Sequence, residues 1–381
     1  MKQTVIVLGS TGSIGRQTLE VLQMHRDRFT LLGLCADRDS ETLRKQAAEW
    51  KPKYVACREN ADRTAYPDGT ELLTGEDASA RIAAIPCDVA VLAISGFAAL
   101  KPLLAAIPNG KRIAIANKES LVCGGDLVRK ALNQYGAELI PIDSEQSALF
   151  QCLQNGRRSE VRRLILTASG GPFFRKTREE CKNVSLREAL NHPTWNMGRK
   201  ITLDSATLFN KGLEIIEASR LFGFGADQIG VLIHPQSIVH SMVEYCDGSV
   251  IANLAVPDMR LPIQYALTYP ERIGSPVNAL DLIASHDLEF FAADPGRFGA
   301  LRLAYDALRT EGGCPIVYNG ANEQAASCYF ANQIGFTEIE TCVEAALEAY
   351  VPHPITSIEA IWDADAEARA LVRQFVERKK Q

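Results

Sequence analysis

The chain has 381 residues, enough for two or three domains with sizeable cores. A net charge of −5 and a pI near 5.8 argue against nucleic acid or an anionic membrane as main partner, so an anionic substrate must be met by a local basic site. The start lacks a basic–apolar–small leader pattern, no apolar run reaches spanning length, and the ten cysteines form no CxxC pair, which together predict a cytoplasmic protein with reduced thiols.

The first element is "VIVLGSTGSIGRQTLEVL" (residues 5–22). Four β-prone residues run into a glycine turn, and an amphipathic helix follows. Gly9 permits a tight exit from the strand, Gly12 lets the backbone approach a ligand, and Gly15 lets the helix pack on the sheet. Thr11 and Ser13 add hydroxyls at a helix N-terminus, where an anion is favoured. This context predicts a dinucleotide site, although a glycine turn is also a plain connector. Further strand-like runs, "FTLLGLCA", "KYVAC", "DVAVLAI", "KRIAIAN" and "AELIPI", alternate with helical stretches, which means βαβ units and a parallel sheet. After Pro141 comes one more strand, "VRRLILTASGG", then a polar, loop-rich region over 170–199. Residues 230–256 show two β runs around Asp247-Gly248, a hairpin signal within an α+β domain. From about Pro295 three or four helices are expected.

Five stretches carry candidate chemistry. In "IPIDSEQSALF", Asp143 and Glu145 stand two apart at the end of an apolar run, a spacing that puts both carboxylates on one strand face. Two acids there suit Mg²⁺ or Mn²⁺; the plain alternative is a solvated strand end with a helix capped by Ser144 or Asp143. In "DSATLFNKGLEIIEA", helical spacing brings Asn210 and Lys211 beside Glu214. Ser205, Asn210 and Lys211 offer donors to a phosphate, and Glu214 a third metal carboxylate. The plain alternative is a surface Lys–Glu pair. "LTASGGP" ends a strand in backbone N–H groups suited to an anion, or in a simple turn. "NHPTWNMGRK" sets Trp195 and Met197 in a polar loop with His192, as a lid would, or as a loop packed on its own domain. "ANKES" puts Asn117, Lys118 and Glu119 after a strand, where open parallel sheets bind ligands, or where a helix simply starts. His240 reads as a satisfied strand histidine, and His25, His286 and His353 as incidental.

These stretches coincide in one pattern. "GSTGSIG", "ANKES", "IDSEQSA", "TASGGPF", "HPTWNMGRKITLDSATLFNKGLEIIEA" and "HPQSIVHSM" resemble, in this order, the motif set of the 1-deoxy-D-xylulose 5-phosphate reductoisomerase family. The likeness runs from the first strand to the C-terminal helices, and residues 192–218 are its most specific part. It implies a homodimeric enzyme of the non-mevalonate isoprenoid route that uses NADPH and a divalent cation (Mg²⁺, Mn²⁺ or Co²⁺). Such an enzyme converts 1-deoxy-D-xylulose 5-phosphate to 2-C-methyl-D-erythritol 4-phosphate, with no nucleic-acid or membrane partner.

By motif, the resemblance implies that Thr11, Gly12, Ser13 and Ile14 bind the pyrophosphate of NADPH. Asn117, Glu119 and Gly198 would lie toward its nicotinamide end. Asp143, Glu145 and Glu214 would hold the metal, with Lys118 and Ser144 at the reacting carbons of the substrate. Ser169, His192, Ser205, Asn210 and Lys211 would line the rest of the substrate pocket, mostly around phosphate. The residues expected to carry catalysis are Asp143, Glu145, Lys118, Glu214 and His192. One stretch departs from the family. Where relatives often carry a Gly-Lys-Asn-like segment reading the adenosine 2′-phosphate, this chain has "ADRDSE", in which Arg38 supplies a cation flanked by Asp37 and Asp39. The expected class is α/β. A Rossmann-like parallel sheet (1–142) precedes a central α+β catalytic and dimerisation domain with an antiparallel hairpin (143–270). A linker (271–294) then leads to a C-terminal helical bundle (295–381).

Three rivals make different demands. An ordinary NAD(P)-dependent dehydrogenase needs no acidic triad, a metal-dependent sugar-phosphate isomerase or aldolase does not respond to NADPH, and a nucleotide sensor forms no product.

Overall fold

Val5, Ile6, Val7 and Leu8 have no exposed surface, the condition of a parallel strand covered on both faces. The computed structural model describes residues 1–195, 197–285, 287–294 and 298–380. Among these, the chain begins β1 (Gln3–Leu8), α1 (Ser13–Met24), β2 (Phe29–Ala36), α2 (Glu41–Trp50), β3 (Tyr54–Cys57), β4 (Glu71–Thr74), α3 (Ala78–Ala83), β5 (Cys87–Leu92), α4 (Leu100–Ala106), β6 (Gly110–Ile115), α5 (Glu119–Tyr135) and β7 (Glu138–Pro141). It continues α6 (Ser144–Leu153), β8 (Val161–Ala168), α7 (Leu186–Ala189), α8 (Arg199–Thr207), α9 (Phe209–Phe222), β9 (Ile229–Ile233), β10 (Val239–Tyr245), β11 (Val250–Leu254), α10 (Arg260–Thr268) and β12 (Phe291–Ala292). It closes with α11 (Gly299–Thr310), α12 (Cys314–Phe330), α13 (Glu338–Ala349) and α14 (Ile358–Lys380). The expected start of the helices, Pro295, lies outside the described residues.

The chain forms two compact units: Met1–Ser120 with Val128–Phe150 and Asp258–Ala279, and Leu121–Leu127 with Gln151–Pro257 and Leu280–Gln381. Among its described residues the first unit holds a seven-stranded sheet in the order β4-β3-β2-β1-β5-β6-β7, with every pairing parallel. The strand order reverses between β1 and β5. In open parallel sheets ligands bind beyond the carboxyl ends at such a point. Helix α10 returns to this unit and packs against α1, β6 and β7, with Ile263, Ala266 and Leu267 fully buried. The short β4, "ELLT", is an addition to the six strands expected from sequence.

The sheet of the second unit runs β11-β10-β8-β9-β12. The hairpin expected at Asp247-Gly248 is formed by β10 and β11, with Ser249 N–H donating to the Asp247 side chain at 2.8 Å. The sheet is mixed, however. Residues 230–256 contain three strands where two were expected, and β9 lies parallel to β8 because the helical crossover through α8 and α9 joins them. Among the described residues, the last third supplies the four helices α11 to α14. No disulfide joins the ten cysteines, all of which are buried except for Cys246. No helix among the described residues is long and apolar enough to cross a membrane.

Candidate functional site

In the first unit the glycine turn stands at the strand-order reversal. Gly9 has φ +89° and lies so close to the Ala93 carbonyl after β5 that a Cβ would overlap it. A side chain at Gly15 would run into the Gly9 carbonyl, so this glycine lets α1 pack on the turn itself rather than on the sheet as expected. Gly12 is exposed, and its nearest neighbour, the Gly9 carbonyl oxygen, would stand 3.4 Å from a Cβ. Nothing within the protein crowds this position, which fits a role toward a ligand. Thr11, Gly12, Ser13 and Ile14 form the entry to α1, whose first N–H groups have no partner within the helix and so suit a pyrophosphate. Ser10 and Gln46, not singled out in the sequence, hold the turn to α2 by bonds of 2.8 and 2.9 Å.

Asn117, Lys118 and Glu119 follow β6 at the same edge of the sheet. Asn117 Nδ2 donates to the Gly96 carbonyl at 2.9 Å and to Glu119 Oε2 at 2.7 Å, while its Oδ1 accepts from Ser120 N–H at 2.8 Å. The triplet is therefore a helix start and a ligand-edge position at once. Lys118 Nζ lies 2.7 Å from Asp143 Oδ2, both side chains nearly buried.

Asp143 and Glu145 reach this edge by a different route from the one their spacing suggests. β7 ends at Pro141 and α6 begins at Ser144, so the pair sits on a turn and a first helical turn. Asp143 Oδ1 accepts from Glu145 N–H at 3.3 Å, and Ser144 Oγ donates to Glu145 Oε2 at 2.7 Å. Asp143 thus caps α6 with one oxygen and meets an ammonium with the other. Hard carboxylate oxygens already facing a buried cation fit a divalent metal by donor chemistry.

In the second unit β8 ends in Ser169, Gly170 and Gly171, with φ +80° and +63° at the glycines. This backbone presses onto α8, where a Cβ on Gly171 would stand 2.8 Å from the Ser205 carbonyl oxygen. His192 Nδ1 accepts from the N–H groups of Thr194 and Trp195 at 3.1 and 2.9 Å. The proton of the neutral ring therefore belongs on Nε2, which lies 2.9 Å from Ser169 Oγ and 3.1 Å from Ser205 Oγ. Burial holds this imidazole below the usual histidine range. Three predicted substrate residues thus meet as one donor cluster.

Leu208 separates α8 from α9 in the left-handed region (φ +61°) although it carries a buried side chain. That conformation is uncommon for leucine. Immediately beyond it, Asn210 Nδ2 donates to Glu214 Oε1 at 2.5 Å and Lys211 pairs with Glu214 Oε2, with Lys211 and Glu214 almost fully buried. The surface-pair alternative is excluded by this burial. Gly198 begins α8. Trp195 is half-buried, its ring 6.5 Å from that of His240 in the same unit.

Sequence reading missed Asp204, buried on α8 between Lys200 and the Asn322 amide at 3.0 Å. The signal was an amide inside the apolar run of α12. His240 is buried as expected, its imidazole pushed down to about 4 by desolvation. His25 pairs with Gln264, His353 lies by Tyr350, and His286 lies outside the described residues. Arg38 is exposed beside Asp37 and Glu59.

Three family models match the chain. One described as 1-deoxy-D-xylulose 5-phosphate reductoisomerase covers residues 5–125, and two described as C-terminal domains of that enzyme cover 139–222 and 254–371. A 1-deoxy-D-xylulose 5-phosphate reductoisomerase of Chlorobium chlorochromatii is 49% identical over 97% of this chain and 98% of its own. One from Chlorobaculum tepidum is 47% identical over 98% and 100%. The solved Zymomonas mobilis reductoisomerase in complex with NADPH shares 40% identity at a TM-score of 0.92, covering 99% and 100%. A reductoisomerase solved with NADPH, fosmidomycin and magnesium shares 38% at 0.92, covering 100% and 99%.

Proposed function

Because the chain belongs to the 1-deoxy-D-xylulose 5-phosphate reductoisomerase family, we infer that it rearranges and reduces 1-deoxy-D-xylulose 5-phosphate to 2-C-methyl-D-erythritol 4-phosphate. It depends on NADPH and a divalent cation, and serves the non-mevalonate route to isoprenoid precursors. The observation that carries this reading is sequence identity of nearly one half extending over practically the whole chain.

Residues 1–142 bind NADPH, with Thr11, Gly12, Ser13 and Ile14 at the pyrophosphate, Arg38 at the 2′-phosphate, and Asn117, Glu119 and Gly198 toward the nicotinamide. Asp143 and Glu145, with Glu214, each offer one carboxylate oxygen to the cation. Mg²⁺ fits these oxygens, as do Mn²⁺ and Co²⁺. When bound, the cation stabilises negative charge on substrate oxygens while the carbon skeleton rearranges, and NADPH supplies the hydride. Lys118 pairs with Asp143 and, with Ser144, orients the reacting carbons. His192 presents its Nε2 proton beside the hydroxyls of Ser169 and Ser205, a donor set for phosphate oxygens that Asn210 and Lys211 extend. Binding the phosphate away from the reacting bonds puts remote binding energy into orientation. Trp195, on the same loop as His192, excludes water from separated fragments. The protein acts as a homodimer, and its thiols, unlinked by disulfides, suit the cytoplasm.

The test is loss of NADPH absorbance on adding 1-deoxy-D-xylulose 5-phosphate, with Mg²⁺, Mn²⁺ or chelator. Metal-dependent oxidation is expected; no oxidation with any metal overturns the reading.

A further inference from the structure

The carboxyl ends of β2 and β3 lead into Asp37, Arg38 and Asp39 and into Arg58 and Glu59, an order of charges that bears on which dinucleotide is accepted. Ala36 on β2 pairs in register with Cys57 on β3, so Asp37 and Arg58 leave the sheet side by side. The Arg58 N–H donates to the Asp37 carbonyl at 3.0 Å. The Arg58 guanidinium also spans the Asp37 carboxylate, Nε to Oδ1 at 2.8 Å and Nη2 to Oδ2 at 3.3 Å. This contact holds the Asp37 carboxyl below its ordinary range.

The second acid, Asp39, is turned inward with only 7% of its side chain exposed. Arg44 grips it at 2.8 and 2.6 Å, and the Tyr66 hydroxyl donates to it at 2.7 Å. On the same helix Lys45 pairs with Glu41 at 2.8 Å. Arg38, between the two acids, has 74% of its side chain exposed, and its nearest carboxylate oxygens, on Asp37 and Glu59, stand 3.8 and 3.9 Å away. Arg38 is the least tightly held of these cations.

In this type of sheet, an acid following β2 accepts from the ribose 2′-hydroxyl of NADH, and an arginine nearby accommodates the 2′-phosphate of NADPH. Asp37 occupies the acidic position and, unmasked, would favour the hydroxyl and repel the phosphate. Resting on the reading that NADPH binds at the Gly9–Gly15 turn, we propose that Arg58 is the specificity-determining residue of this edge. By bonding to both carboxylate oxygens of Asp37, whose side chain stays 62% exposed, it competes with a ribose hydroxyl for them, offsets their charge, and leaves Arg38 to meet the 2′-phosphate.

The experiment compares dissociation constants of NADPH and NADH by nucleotide fluorescence in the full chain, without turnover, for the parent, Arg58→Met, Asp37→Asn and the double variant. Competition by adenosine 2′,5′-bisphosphate and by AMP isolates the subsite, and circular dichroism checks the fold. Arg58→Met is expected to weaken NADPH about tenfold and tighten NADH, the scale of one partly exposed charge contact. Adding Asp37→Asn should restore most of the NADPH affinity and remove the gain for NADH. An unchanged NADPH-to-NADH ratio in Arg58→Met, with the parent preferring NADPH, overturns the proposal and leaves the enzyme assignment standing. A fall in NADPH affinity that Asp37→Asn does not repair also overturns it, because Arg58 would then act by touching the phosphate rather than by masking Asp37. A parent chain that binds neither nucleotide brings down both.

Discussion

Glu214 is 1% exposed and takes an amide and an ammonium from its own helix, from Asn210 and Lys211. Such a buried carboxylate is tolerated because it is paired; removing one member of a buried pair costs about 3–5 kcal/mol. Glu214→Gln keeps the shape and removes the charge, so Lys211 becomes the less well compensated partner. Turnover at limiting Mg²⁺ should be lost, while NADPH affinity stays within about twofold because the glycine turn belongs to the other unit. Near-normal rates at limiting Mg²⁺ would remove Glu214 from the proposed metal set. His240 gives a pH dependence. Burial lowers its folded-state value to about 4, against about 6.5 in an unfolded chain. Between those values the unfolded chain binds a proton that the folded one refuses. Stability is therefore full above the upper value and is lost as pH falls toward the lower, by up to about 1.4 kcal/mol per pH unit. Urea midpoints at pH 7 and 5 should differ less in His240→Asn than in the parent. Equal differences would show that the imidazole titrates alike in the folded and the unfolded chain.

At the scale of elements, α9 approaches the C-terminal helices through Gly212. A Cβ there would overlap the hydroxyl of Tyr318 on α12, which is fully buried and donates to the Ala300 carbonyl of α11 at 3.1 Å. Gly212→Ala should destabilise the fold by about 1–3 kcal/mol through overpacking. Tyr318→Phe removes the obstructing oxygen, so the double variant should recover part of that loss in a denaturation cycle. Additive losses would mean that the helices simply move apart. The same helix carries Asn210, Lys211 and Glu214 directly after the left-handed Leu208. The placement of these donors thus depends on a packed helix contact as well as on their spacing.

At the scale of the molecule, β11 is an edge strand of the second sheet and leaves Val250 and Leu254 exposed at 49% and 38%. An uncovered apolar edge invites pairing with another chain. The homodimer proposed above should give a particle of two chains by light scattering at micromolar concentration, and Val250→Lys should shift it toward monomer. A monomeric parent counts against pairing at this edge.

Much of this protein is legible in its sequence because the signals are short. The apolar run of Val5 to Leu8, the glycine turn after it and the Asp247-Gly248 hairpin are each set by neighbouring residues. Backbone sterics and local burial suffice to read them. The motif block over 192–218 likewise keeps His192, Ser205, Lys211 and Glu214 within a few turns of one another. What the tertiary structure alone decided involves residues brought together from afar. β4 is too short to announce itself, and β9 joins β8 in parallel only because α8 and α9 cross over. Asp37 meets Arg58 across 21 positions and Asn322 meets Asp204 across 118. Such pairings depend on strand register and helix packing, which are set by burial over the whole core, so no window of the sequence contains them.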